Sequence, residues 1–393
     1  MKTRRVLASL FVVVFASFGC TDSYNDNEGG PPPVDNPNNT PQVEKTYLGF
    51  TPLPPSVNPA DQDLIYSRMA TNSNIVAHHF DNGIPWNEAL ANTYPYHSNI
   101  MNDWSARKTK TPAGHKVYVA VTPIDGPRSG LALYRKESDN MTLTAPFDTH
   151  AAYFDFNHAD VRAAYLNYCR RVIQYFNPDY FAIGIEVNLL RKNTPGAWAS
   201  YLALQQYIYQ QLKSEFPELP IFASVVGAIL LHGYEDYTAE FAGQADPATA
   251  YMNAMRAALD QVLQSSDYYA LSFYPYATIY YNQPFPSDMI PTLFSLSNKP
   301  LVIAETGILA KDLNLLGLTF IGTEARQRGY FETLIQAVKA RKGRFIINFV
   351  MQDYDQLCVD ISCPDIYKVW IHTGFYSATG AERSVLQYWK QNL

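Results

Sequence analysis

The chain has 393 residues, a net charge of −6 and 47% hydrophobic residues. That length suits one large domain with a substantial core, and an acidic balance with scattered basic residues argues against a nucleic-acid partner, which needs a basic face. Aromatic residues make up 14% of the chain, with 29 tyrosines, more than a core of Val, Ile and Leu requires.

Residues 1–19 read as an export signal, with Lys2, Arg4 and Arg5 before an apolar run from Val6 to Phe18. The run is too short to span a bilayer. Gly19 followed by Cys20 resembles the bacterial lipoprotein signal, which implies that Cys20 carries lipid and anchors an exported protein to the membrane, facing the periplasm or the cell exterior. The alternative is an ordinary cleaved signal with an incidental cysteine. Residues 20–46 are rich in Asn, Asp, Gly and Pro, including Pro31, Pro32 and Pro33, and are expected to form a disordered tether.

No second linker interrupts residues 47–393, so a single domain is expected there. Short runs of Val, Ile, Tyr and Phe alternate with segments of helical periodicity. Eight strands are expected, at Tyr47–Thr51, Asn74–Phe80, Lys116–Thr122, Tyr180–Glu186, Pro220–Val226, Tyr268–Phe273, Pro300–Glu305 and Arg344–Val350. The helices between them are expected at Ala60–Ala70, Ser98–Lys108, Asp160–Phe176, Ala197–Phe216, Pro247–Ser265, Ser287–Leu296 and Thr323–Lys342, with an eighth at Ala381–Gln391. Eight alternations with strands apolar on both faces imply the α/β class and a (β/α)8 TIM barrel. An open doubly wound sheet is the competitor; neither GxGxxG nor GxxxxGK[ST] is present. The surplus length falls in loops after strands, at 81–97, 125–157 and 351–380, on the face where barrel enzymes keep their sites.

Glu186 ends strand four and Glu305 ends strand seven. A charge closing an apolar strand is costly unless paired or functional, and a salt bridge would explain either one alone. Strands four and seven face each other across a barrel mouth, where two carboxylates about 5 to 5.5 Å apart cleave a glycosidic bond with retention, one as acid/base and one as nucleophile. The domain resembles clan A of the glycoside hydrolases, notably in the Pro300–Gly307 stretch around Glu305, and Ala270–Tyr276 is similar to a Ser-Tyr-Tyr-Pro segment of the endo-β-1,4-galactanase family. The resemblance implies that Glu305 is the nucleophile and Glu186 the acid/base. It departs from the clan directly before the acid/base, where Ile185 replaces an asparagine that binds the sugar 2-hydroxyl; Asn188, nearby in the chain, is a candidate to make that contact from a different angle.

Other residues expected at the site are one of His78 and His79, since adjacent strand residues point to opposite faces, as a sugar-hydroxyl contact with a structural histidine as the alternative, and Tyr274 or Tyr276, each either a hydrogen-bond donor to Glu305, a packing residue or a sugar platform. Trp86, Tyr354 and Trp370, in or beside the long loops, are candidate sugar platforms, with packing as the alternative for each. Cys358 and Cys363 are expected to form a disulfide. No cofactor or metal is expected: HExxH and other dense ligand spacings are missing, as is the GxSxG of an α/β-hydrolase. The expectation is a monomeric retaining endo-glycanase whose partner is a polysaccharide, first β-1,4-galactan, then β-glucan or β-mannan. The alternatives are an exo-glycosidase of the same clan and a surface glycan-binding lipoprotein without catalysis.

Overall fold

The computed structural model describes residues 45–231 and 240–393. The expected signal, Cys20 and the tether up to residue 44 lie outside the described residues. The main sheet has nine hydrogen-bonded segments, all parallel. Two of them, Ile221–Phe222 and Ser224–Val226, are one strand interrupted at Ala223, which leaves eight strands. These are β1 (Tyr47–Phe50), β2 (Ile75–Phe80), β3 (Lys116–Val121), β4 (Tyr180–Ala182), β5 (Ile221–Val226), β6 (Tyr269–Phe273), β7 (Leu301–Thr306) and β8 (Phe345–Asn348). The first half of β5 pairs with β4 and the second half with β6, while β1 pairs with both β2 and β8, so the sheet closes into a barrel.

The flanking helices are α1 (Pro59–Asn72), α2 (Ser98–Lys110), α3 (Ala159–Phe176), α4 (Trp198–Glu215), α5 (Pro247–Leu263), α6 (Met289–Phe294), α7 (Glu324–Ala340) and α8 (Ser384–Lys390). Local chemistry sets several of their starts: the Asn58, Asp246 and Thr323 side chains accept from the first free backbone N–H groups of α1, α5 and α7, and Pro59 and Pro247 occupy first-turn positions where no donor is lost. A two-stranded antiparallel hairpin, Lys311–Leu315 with Leu318–Thr323, lies between β7 and α7. It was not anticipated, because its strands alternate buried and exposed residues over a stretch that reads as loop.

The core has two layers. Alternate strand residues point inward, where Tyr118, Tyr180, Phe222 and Phe345 fill the barrel; the Tyr118 and Tyr180 rings each lie 4.9 Å from Phe345. Ala77, Ala120, Ala182, Ala270 and Ala304 share that interior layer. The outward residues pack against the helices. Small interior side chains near the strand ends leave room in the mouth for larger polar groups.

Candidate active site

Both glutamates reach the mouth by leaving regular strand geometry. On β7, Val302 and Ala304 face inward, so strict alternation would send Glu305 out toward the helices. The register with β6 slips by one residue here: Leu271 pairs with Ile303 but Ser272 pairs with Glu305. The register with β8 slips at the same place. This bulge places Glu305 in register with Ser272 and re-aims its side chain into the barrel. On β4, regular pairing ends at Ala182, and Glu186 has a left-handed backbone at φ 53°. That conformation costs a residue with a Cβ roughly 1–2 kcal/mol. It is held by two bonds to β5: the Glu186 N–H donates to Ser224 Oγ and the Val187 N–H to Ser224 O, each at 3.0 Å. Gly184 is required beneath it, since a Cβ there would stand 2.6 Å from Val187 and 2.7 Å from the Tyr201 hydroxyl.

The two carboxyls are buried, with exposures of 3% for Glu186 and 5% for Glu305, and Ser272 links them. It pairs with Glu305 across the sheet, and its Oγ donates to Glu186 Oε1 at 2.7 Å. Glu305 Oε1 accepts from the Tyr274 hydroxyl, and its Oε2 lies 3.9 Å from His79 Nδ1, which is 3.2 Å from Thr51 Oγ1. On the other side, Arg128 Nη2 lies 3.4 Å from Glu186 Oε2. The same guanidinium makes a two-pronged bond to Asp81, at 2.9 and 2.8 Å. Arg128 is itself fully buried and left-handed, at φ 56°.

Electrostatics separate these groups. Burial pushes the Glu305 carboxyl up, to about 8, and the neighbouring Glu186 charge adds to the rise, while the Tyr274 bond and Arg128 oppose it. Burial lowers His79 to about 3, with Arg107 and Arg128 adding to the effect, so it is neutral in the ordinary pH range. Burial also pushes Asp81 up, to about 6, against the pull of Arg128. Burial works against the Arg128 charge as well, but Asp81 and Glu186 outweigh it and raise its proton affinity. The two partners thus pull in opposite senses, and the fork-to-fork geometry is that of an ionised pair.

Several residues expected at the site are elsewhere. His78 faces outward, with Nε2 2.9 Å from Thr111 Oγ1 and its ring 5.7 Å from Phe176; alternation along β2 leaves only His79 inside. Asn188 is not free to replace the clan's asparagine, because its amide donates to Val226 O at 3.0 Å and accepts from the Val226 N–H at 2.8 Å. Trp86 is a core residue, stacked on Phe147 at 5.0 Å and donating to Ala132 O. Tyr276 and Tyr354 are buried, and their hydroxyls donate to Val369 O and Tyr367 O. Trp370 lies edge-on to Tyr274 at 5.8 Å, and its buried indole N–H has no partner among the described residues. Cys358 and Cys363 are disulfide-bonded, and Cys169 is buried and free.

Sequence reasoning passed over Arg128 and Ser272. Arg128 is separated from Asp81 by 47 residues in a long loop; Ser272 is part of the family-like segment but had no assigned role. Tyr153, 80% exposed on the loop after β3, and its half-exposed neighbour Phe154 were also missed as aromatic surface. Two groups bring candidate metal ligands within 4.8 Å of one another, His150 with His158 and Asp160, and Asp353 with Asp355 and His372. In the second group Asp353 is already bound on both oxygens by Arg383, at 2.7 and 2.6 Å.

No known family profile matches the chain, and no curated protein matches it in sequence. Solved structures do match. The exo-beta-1,4-mannosidase Op5Man5 from Opitutaceae bacterium strain TAV5 aligns with a TM-score of 0.55 at 12% identity, over 88% of this chain and 59% of that one. GH5_18 from Streptomyces cattleya in complex with GlcNAc aligns with a TM-score of 0.55 at 11% identity, over 89% of this chain and 80% of that one. The Ignisphaera aggregans GH53 catalytic domain aligns with a TM-score of 0.50 at 13% identity, over 91% of this chain and 99% of that one. The chain has the (β/α)8 barrel fold of these glycoside hydrolases. It spans about three fifths of the mannosidase's length.

Proposed function

We propose that the protein is a retaining glycoside hydrolase acting on a β-linked polysaccharide. The observation that carries this reading is the pair of buried carboxyls, Glu186 and Glu305, aimed into one barrel mouth and joined through Ser272. Glu305 attacks the anomeric carbon in its ionised form, which the Tyr274 bond and Arg128 favour against the opposing effect of burial. Glu186 delivers a proton to the departing oxygen, then takes one from the water that hydrolyses the glycosyl-enzyme. Arg128 lies against Glu186, with Nη2 3.4 Å from Oε2. Loss of the Glu186 charge as it gains that proton leaves Arg128 paired to Asp81, which keeps the buried guanidinium compensated throughout the cycle.

β-1,4-Galactan is the first substrate choice, supported by the resemblance of the Ala270–Tyr276 segment to the endo-β-1,4-galactanase family. β-Mannan and β-glucan follow. Endo-action by a monomer is our reading, with exo-action as the alternative; burial of Trp86 and Tyr354 removes two of the candidate platforms for outer subsites. A reducing-end assay over plant and algal polysaccharides tests the proposal. Release of sugar by the wild type, lost in both Glu186→Gln and Glu305→Gln, supports it. A folded wild type that binds glycan without releasing reducing ends would make it a non-catalytic binding protein instead. For the anchor, lipid on Cys20 predicts that Cys20→Ser moves the protein from the membrane fraction to the soluble one. Retention of the variant in the membrane would remove Cys20 as the attachment point.

A further inference from the structure

A cleft of about 560 Å³ lies outside the barrel mouth, between the segment after β6, the hairpin and the first turns of α7. Its walls include Phe273, Phe285, Met289, Ile290 and Tyr330, and it contains neither Glu186 nor Glu305. Volumes of roughly 300–1,000 Å³ are those of small-molecule sites. Among the described residues that line it, Arg326 is the one that carries a charge, and no Asp or Glu is among them. The Arg326 guanidinium lies 4.2 Å over the Phe285 ring and donates to the carbonyls of Ile321, Tyr280 and Gln283. Asp312 acts on its charge only from a distance. The carbonyls and the Phe285 ring fix the guanidinium in place next to the positive end of the α7 dipole, and no carboxylate among the described residues forms an ion pair with it.

Gly329 adds an independent sign. It stands inside the 17-residue helix α7, where glycine costs roughly 1 kcal/mol relative to alanine. Nothing about the fold asks for it, since a Cβ there would meet no atom within 4 Å. Gly329 lines the cleft from an exposed position on α7, with open space where a side chain would stand.

We propose that this cleft binds a small amphipathic monoanion, an aromatic or short alkyl carboxylate or sulfonate. Its apolar body lies against Phe273, Met289, Ile290 and Tyr330, and its acidic group beside Arg326. The proposal stands independently of the glycosidase reading, since it uses neither carboxylate.

The test is fluorescence titration with 8-anilinonaphthalene-1-sulfonate, an aromatic monoanion. The expected result is one saturable site on the wild type. Gly329→Phe, which fills the cleft from open space, should lower affinity at least about tenfold, a loss of about 1.4 kcal/mol, with Tm unchanged. Gly329→Ala should bind like the wild type, and Arg326→Met should weaken binding by a similar factor. Undiminished binding by Gly329→Phe would overturn the site. The neutral analogue N-phenyl-1-naphthylamine binding as tightly as the sulfonate, or displacement of the sulfonate by a neutral oligosaccharide, would overturn the class of ligand.

Discussion

Replacing Glu305 with glutamine removes an ionisable group from a place that resists its charge, so the substitution should stabilise the protein in a pH-dependent way. Burial and the Glu186 charge raise the folded-state affinity of Glu305 for its proton. A group whose folded value is raised contributes stability that is fully present below its unfolded value, about 4.3 for glutamate, and that is lost as pH rises through the folded value. Wild type should therefore weaken relative to Glu305→Gln between about pH 5 and pH 9. Each tenfold gain in proton affinity on folding corresponds to about 1.4 kcal/mol. Because the group is enclosed and has a second carboxylate beside it, the full effect should fall at about 2–4 kcal/mol, below what a lone carboxyl held at the same proton affinity would give. Urea denaturation of both proteins across this range measures it directly, through the midpoint at constant slope. A stability difference that stays flat with pH, or that favours wild type at the alkaline end, would refute the burial argument.

Three further outcomes follow from the same geometry. Tyr274→Phe removes the donor that favours ionised Glu305, so the acid limb of kcat/KM should move to higher pH and the rate should fall roughly 10- to 100-fold; an unmoved limb would show that the bond has no electrostatic role. Ser272→Ala deletes the 2.7 Å bond to Glu186 and should lower kcat about tenfold with little change in KM, by loosening the acid/base. Trp370→Ala should instead raise KM about tenfold with a smaller change in kcat, because its ring lies against Tyr274 and its indole N–H has no partner among the described residues; an equal fall in kcat would make it a packing residue.

The barrel was legible because its signal is repeated: each buried parallel strand is a continuous apolar run, and each helix carries its own period. The glutamates were legible as charges that close such runs. How they enter the mouth was not. The slip beside Ala304 depends on the register with two neighbouring strands, and the left-handed turn at Glu186 depends on bonds from Ser224, so neither is written in local periodicity. Arg128 was hidden for a related reason, since a loop arginine declares its partner only once β2 and the loop after β3 meet. Aromatic residues misled in the opposite direction. Trp86 and Tyr354 look like platforms by position, but each spends its polar atom on a backbone carbonyl within the core. Asn188 failed as a substitute because β5 needs both ends of its amide.

The assignment of two carboxylates to two jobs is tested most directly by azide rescue on an activated aryl β-glycoside, with the anomeric configuration of the product read by NMR. Glu305→Ala should be inactive alone and, with azide in the vacated space, should give a glycosyl azide of inverted configuration. Glu186→Ala should still form the glycosyl-enzyme from a good leaving group, and azide should then give a product of retained configuration. The reverse pair of configurations would exchange the roles of Glu186 and Glu305, and near-normal hydrolysis by either variant without azide would contradict the account.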